Sequence, residues 1–397
     1  MKKTPQGMRL HIGIFGRRNV GKSSLLNAIT GHKASIVSQE PGCTTDPVRK
    51  AMELHPIGPV LFTDTAGLDD NSTLGNERIR RSKQILSSTD VALVVALASA
   101  WGDLEDRVVE QLLEQESKVI AVFNKCDEAK PNHELKERLS KKGCRVVETS
   151  VLNGEGIFDL KRAIVDVAPG ATLTPSIAAD LLPTGGLAVL VIPIDLEAPK
   201  GRLILPQVQV IRDLLDGDQA CLVVKERELK AMLSRLKEPP DLVITDSQAF
   251  LKVAADIPPD VPLTSFSILF ARLKGDLARL SEGARAIEKL KPGDKVLIAE
   301  ACTHHPVGED IGRVKIPRWL TNYVGGKLQI DNVQGKHFPE DLSQYSLVIH
   351  CGGCMFNRRA VLSRISACSD KDVPITNYGL TIAYVQGLFK RALSPFH

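Results

Sequence analysis

Gly16-Arg-Arg-Asn-Val-Gly21-Lys22-Ser23 follows the apolar run Leu10–Phe15 and precedes the helix-like Ser24–Ile29. This strand, glycine turn and helix order is what a phosphate-binding P-loop requires, and it predicts an α/β fold built on a parallel sheet. The glycines permit a tight turn around an anion, and backbone N–H groups and the helix N-terminus face the phosphates. Lys22 then neutralises β/γ charge and Ser23 ligates magnesium. The nucleotide-contacting set expected here is Gly16, Asn19, Val20, Gly21, Lys22, Ser23 and Ser24.

Further motifs follow in order at predicted strand ends. Asp64-Thr-Ala-Gly67 closes the next apolar run, where Asp64 reaches magnesium through water and the Gly67 N–H senses the γ-phosphate. Asn124-Lys125-Cys126-Asp127 ends another, and it resembles the N-K-x-D motif of GTPases, whose Asp accepts paired hydrogen bonds from guanine N1–H and the N2 amino group. Adenine has no such donors, so GTP is the expected nucleotide. Thr149-Ser150-Val151 fits the last, weaker motif, with Ser150 and Val151 offering backbone N–H groups to the guanine carbonyl. Thr44 and Thr45, in Pro-Gly-Cys-Thr-Thr-Asp, fill the first switch; which hydroxyl binds magnesium stays open. Lys22, Thr44, Thr45, Asp64 and Gly67 are the candidate catalytic residues. Leu68 stands where Ras-like enzymes carry a water-orienting Gln, so another device must assist hydrolysis.

A second constellation lies near the other end. Cys302-Thr-His304 and His350-Cys351-Gly-Gly-Cys354 concentrate three thiols and two imidazoles in otherwise ordinary α/β sequence. The predicted strands Lys295–Ala299 and Ser346–Ile349 immediately precede them, so both groups should gather at the carboxyl edge of one sheet, where open α/β folds bind ligands. Gly352-Gly353 lets Cys351 and Cys354 share one centre. The donor set suits an iron–sulfur cluster or a tetrahedral zinc. His304 and His350 are candidate ligands or hydrogen-bond partners of ligands; His305 and Glu309 are weaker candidates. Cys126, Cys144, Cys221 and Cys368 show no ligand spacing.

The chain has 397 residues, 43% of them hydrophobic, a net charge of +4 and 4% aromatic residues. Length and apolar content allow several domains with real cores. Interspersed charge and scarce aromatics argue against nucleic acid as a partner. The polar start after Met1-Lys2-Lys3 and the shortness of the longest apolar run, Val91–Ala98, argue against a signal peptide or membrane span. The expected location is the cytoplasm, where eight cysteines read as thiols or ligands rather than disulfides.

Alternating strand and helix patterns predict parallel sheets throughout, in three domains: a GTP-binding domain over 8–170 and two smaller α/β domains over 175–268 and 269–397. Gly170–Pro175 reads as a linker, and a long polar helix is expected from Leu269 to Leu290.

The first block resembles the TrmE and Era group of GTPases. In its potassium-activated members the residue matching Asn19 helps hold a monovalent cation beside the phosphates; a turn cap is the other reading of Asn19. Cys43 departs from a Gly common in that switch. As a whole, the chain resembles the HydF family, GTPase maturation factors of FeFe hydrogenases. The resemblance rests on the GTPase residues, the Pro193-Ile-Asp-Leu-Glu-Ala-Pro-Lys-Gly201 stretch and the C-x-H…H-C-x-x-C signature. It implies a middle domain that forms a homodimer and a 4Fe-4S cluster held by Cys302, Cys351 and Cys354. It also implies a scaffold that receives a transient di-iron precursor assembled with the radical-SAM maturases HydE and HydG and passes it to apo FeFe hydrogenase. Three thiolates leave one iron for an imidazole, carboxylate, water or visiting ligand.

Overall fold

A computed structural model describes residues 4–31, 48–65, 84–168, 175–193, 203–301 and 310–396. Thr44, Thr45, Gly67, Cys302 and His304 lie outside the described residues, as do Cys43, Leu68, His305, Glu309 and most of the Pro193–Gly201 stretch. The chain parts into two compact units, 1–174 and 175–397.

In the first unit, β1 (Leu10–Phe15), β2 (Val48–Leu54), β3 (Gly58–Asp64), β4 (Val91–Leu97), β5 (Lys118–Asn124) and β6 (Arg145–Glu148) form one sheet of order β2-β3-β1-β4-β5-β6. The central strands are apolar along their length because helices cover both faces. Ile12, Ile14, Val91, Leu93 and Val122 are fully buried, on a face shared with Leu25 and Ile29 of α1 (Lys22–Thr30). On the other face Phe15, Val94 and Phe123 pack with Val109 and Leu112 of α2 (Asp103–Glu114). Helices α3 (His133–Lys141) and α4 (Ile157–Val167) complete the layers.

One expectation fails here. The sheet is not parallel throughout, since β2 runs antiparallel to β3, with Val48 opposite Asp64 and Leu54 opposite Gly58. Its Arg49, Lys50 and Glu53 suit a half-solvated edge and hide it from a search for apolar runs.

The second unit holds two all-parallel sheets. One has order β10-β9-β7-β8, from β7 (Leu187–Val191), β8 (Ala220–Val224), β9 (Leu242–Thr245) and β10 (Leu263–Ser265). Helices α5 (Leu205–Asp216), α6 (Leu229–Leu233) and α7 (Phe250–Asp256) connect its strands. The other has order β12-β11-β13-β14, from β11 (Lys295–Glu300), β12 (Gln329–Gln334), β13 (Leu347–His350) and β14 (Ile375–Asn377). Strands β12 and β14 are edges, one polar and one of three residues, and neither was expected from sequence.

The long helix expected over Leu269–Leu290 is two helices, α8 (Phe266–Lys274) and α9 (Leu277–Arg285), followed by a 3-10 turn at Ala286–Lys289. The chain breaks at Gly275, and Asp276 accepts from the Arg279 N–H at 3.0 Å to start α9 afresh. Helix α8 is mostly buried rather than polar, and it runs through the expected domain boundary at 268/269. Helices α10 (Ile316–Val324), α11 (Arg358–Ser369), α12 (Tyr378–Val385) and α13 (Phe389–Leu393) finish the fold. No helix among the described residues is long and apolar enough to cross a membrane.

Candidate functional site

The P-loop is shaped by backbone positions that only small residues tolerate. Gly16 has φ +149°, and a Cβ there would come within 2.1 Å of the Val95 carbonyl oxygen. Gly21 has φ +93°, and a Cβ there would meet Asn124 Nδ2 at 2.4 Å. That crowding reflects a real contact: Asn124 Nδ2 donates to the Val20 carbonyl at 2.9 Å, tying the end of β5 to the loop. Thr149 Oγ1 donates to Asn124 Oδ1 at 3.2 Å and so orients that amide. Asn19, exposed, takes the left-handed conformation at φ 62°.

Lys22 is buried, and its Nζ donates to the carbonyls of Gly16 at 2.9 Å and Arg17 at 2.7 Å. The loop is thus closed around the lysine. Arg17 makes a two-point ion pair with Glu105, at 2.8 and 3.0 Å, and Glu105 also accepts from the Gly102 N–H at 3.0 Å. This pair fastens the loop to the start of α2. The sequence reading missed it; an acidic residue in the first turn of a helix bordering the nucleotide strands is the signal that was available.

Ser23 Oγ donates to Asp64 Oδ2 at 2.6 Å. Asp64 is 7% exposed and its Oδ1 is buried without a partner among the described residues. Burial pushes its carboxyl above the usual carboxylate value, opposed by the Ser23 hydrogen bond and the charges of Lys22 and Lys50. A hydroxyl, a carboxylate with an unsatisfied buried oxygen and a neighbouring cation fit a magnesium nucleotide, whose metal and water Ser23 and Asp64 would hold. At the base end, Ser150 Oγ hydrogen-bonds Asp127 Oδ1, and the Thr149 N–H donates to the Phe123 carbonyl at 2.7 Å. Lys125 sits at φ 59°, its Nζ 3.7 Å from Glu128. Gly16 to Ser24, Asp64, Asn124 to Asp127 and Ser150-Val151 therefore all stand at the carboxyl edge of one sheet.

In the second unit, β11 and β13 are neighbours at the point where the strand order of their sheet reverses. Ala299 pairs with His350, and the Cys351 N–H donates to the Ala299 carbonyl at 2.9 Å. Cys351 Sγ accepts from the Ala301 N–H at 3.0 Å, one residue before Cys302. Gly353 at φ 63° turns the chain towards Cys354, and both thiols are half-buried. Among the described residues no three His, Cys, Asp or Glu side chains come together as a metal set; Cys302 and His304 lie outside them. The described part, two thiols on one glycine turn with an N–H already aimed at a sulfur, fits a thiolate-held cluster.

Of the two roles open to His350, its surroundings fit the hydrogen-bond partner. It is 3% exposed, its Nε2 accepts from Arg364 Nη1 at 2.9 Å and its Nδ1 lies 2.6 Å from the Cys351 carbonyl. A guanidinium only donates, so Nδ1 carries the ring proton and both ring nitrogens are engaged within the fold. Burial, then the Arg364 charge, pushes its pKa down to about 3, which keeps the ring neutral. Arg364 stacks over Phe356 and Phe338, at 4.5 and 4.9 Å to the ring centroids.

A buried cation completes the loop. Lys274, 3% exposed, donates to the carbonyls of Gly353 at 3.1 Å, Cys354 at 3.1 Å and Phe356 at 2.8 Å. Burial lowers its pKa to about 8, opposed by the Cys354 and Cys351 thiols. The sequence signal for it was a lysine closing the mostly apolar helix Phe-Ser-Ile-Leu-Phe-Ala-Arg-Leu-Lys274.

Sheet order, P-loop and guanine motif define a P-loop GTPase with further α/β domains. A family model described as 50S ribosome-binding GTPase matches residues 11–125. The Hydrogen maturase F dimerization domain matches 177–275, and the Hydrogen maturase F tetramerization domain matches 278–395. These last two models together take in more than half of the chain, and the chain belongs to the Hydrogen maturase F family.

Curated relatives resemble the first unit. The tRNA modification GTPase MnmE of Bacillus velezensis is 38% identical over 171 residues, covering 41% of this chain and 36% of the relative. GTPase Der of Helicobacter hepaticus is 36% identical over 168 residues, covering 39% and 34%. The chain thus spans about a third of the length of the curated relatives it matches. Among solved structures, the G domain of the T. maritima FeoB iron transporter is 32% identical and covers 40% of this chain and 98% of that one, with a TM-score of 0.32.

Proposed function

We propose that the protein is a GTP-hydrolysing scaffold that holds a 4Fe-4S cluster and a transient di-iron precursor and delivers the precursor to apo FeFe hydrogenase. The observation that carries this reading is one chain combining a guanine-type P-loop site with a cysteine turn at the switch point of a Hydrogen maturase F domain.

In the nucleotide site, the loop carbonyls hold the Lys22 ammonium where β/γ phosphates would rest, and Ser23 and Asp64 face the magnesium position. Asn19 supports potassium as the charge that offsets the missing Gln, and Thr44 or Thr45 and Gly67 complete the switch. Asp127 selects guanine, flanked by Lys125 and by the Ser150 and Val151 backbone.

In the second unit, Cys302, Cys351 and Cys354 bind the cluster, which supplies an exchangeable iron corner for a visiting ligand. His304 is a candidate for that corner, while His350 holds the Cys351 carbonyl instead. The 175–268 region forms the homodimer, the 269–397 region carries the cluster, and the precursor comes from HydE and HydG in the cytoplasm. Neither nucleic acid nor membrane enters this cycle.

The test is hydrogenase activation in vitro by anaerobically purified wild-type protein and Cys351→Ala. Activation by the wild type alone supports the reading, and equal activation by both rejects it.

A further inference from the structure

Lys274 is the last residue of α8, and it is the least exposed Lys or Arg among the described residues. No carboxylate pairs with it among those residues, and its ammonium donates to three carbonyls of the cysteine loop. Arg358 ties the same junction from the other side, donating from Nη1 to the carbonyls of Leu273 at 2.8 Å and Gly275 at 3.1 Å. A buried ammonium is costly unless its charge is met, and carbonyl dipoles meet it only in part. The negative charge placed to complete it is that of the Cys351 and Cys354 sulfurs once they are thiolates.

We infer that Lys274 is a positioning residue for the thiolate-held group: its ammonium gathers the carbonyls of Gly353, Cys354 and Phe356 to fix the Cys351–Cys354 turn, and its charge beside the sulfurs raises the group's one-electron reduction potential. The inference rests on the reading that these cysteines hold an iron–sulfur cluster. Adding one electron makes such a cluster more negative, so a fixed neighbouring cation stabilises the reduced form more than the oxidised one. A tether of purely structural value would hold the loop without this effect.

The experiment uses the full chain, loaded anaerobically with iron and sulfide, in three forms: wild type, Lys274→Met and Lys274→Arg. Dithionite is the electron donor, and the midpoint is followed by EPR at constant pH with circular dichroism as the check on folding. The Met variant should load iron and show a more negative midpoint, while Arg should hold it near the wild-type value. A Met midpoint equal to wild type overturns the inference. If Met takes up no iron, the Arg variant decides: loading at the wild-type midpoint supports the charged tether, and no loading in a folded Arg protein overturns it. A wild type that binds no iron fails the cluster reading itself, a result distinct from an unshifted midpoint.

Discussion

The P-loop and the cysteine turn are both glycine turns at the carboxyl edge of a sheet, yet they are held in opposite ways. The P-loop wraps its own lysine: Lys22 bonds to carbonyls five and six residues before it, so that cation comes from within the loop. The cysteine turn is held by cations outside it, Lys274 from 79 to 82 residues away and Arg364, 14 residues after His350, by way of that ring. One site presents hydroxyl and carboxylate oxygens, which suit a hard metal, the other thiols, which suit a soft one. The contrast teaches that a glycine turn at a sheet edge takes its chemistry from the donors and the cation placed beside it.

The largest expected effect breaks the pair apart. Lys22→Ala should lower GTP turnover by about 100-fold or more through lost phosphate stabilisation, while leaving iron content unchanged. Cys351→Ala should do the reverse. Measuring phosphate release and bound iron on both variants checks this, and loss of both properties in either variant would merge sites that are kept separate here.

Next, Asp127→Asn should reduce the preference for GTP over ATP by about 100-fold, since it removes charge-assisted hydrogen bonds worth roughly 3 kcal/mol together. Competition binding with the two nucleotides reads this directly. Unchanged selectivity would mean that the base is recognised elsewhere.

A smaller effect depends on pH. Asp64 has its folded pKa raised by burial, so at neutral pH its charge is a penalty on the apo fold. As pH falls through the raised value the folded state gains a proton the unfolded chain does not yet bind, and the penalty fades towards the ordinary value of 3.8. Asp64→Asn should therefore melt higher than wild type without nucleotide at neutral pH, with the gap closing on acidification. Calorimetry across that window checks the sign, and magnesium with GDP should stabilise the wild type alone.

The smallest effect concerns the junction behind the cysteine turn. Asp276→Ala removes the N-cap of α9 and should cost about 1 kcal/mol, seen as a lower denaturation midpoint of the second unit.

The difference in how the sites are built also explains what the sequence disclosed. The P-loop was legible because its function lies in contiguous residues, and β1 falls over Leu10–Phe15 as read. Strands β2 and β12 were not, because edge strands carry Arg49, Lys50, Gln329 and Asp331, which match no apolar run. The break between α8 and α9 was written in Gly275-Asp276 but masked by apolar spacing on both sides. The cysteine spacing pointed to a metal centre, whereas Lys274 and Arg364 join it through contacts no local pattern encodes. His350 shows the same limit: its adjacency to Cys351 left ligand and hydrogen-bond partner both open, and only the fold shows its ring between Arg364 and the Cys351 carbonyl.

The division of labour between a nucleotide site and a thiolate site is tested most directly by iron, acid-labile sulfide and zinc per chain in anaerobically purified wild type. The account predicts about four irons and four sulfides per chain with negligible zinc. One zinc per chain without sulfide would contradict it.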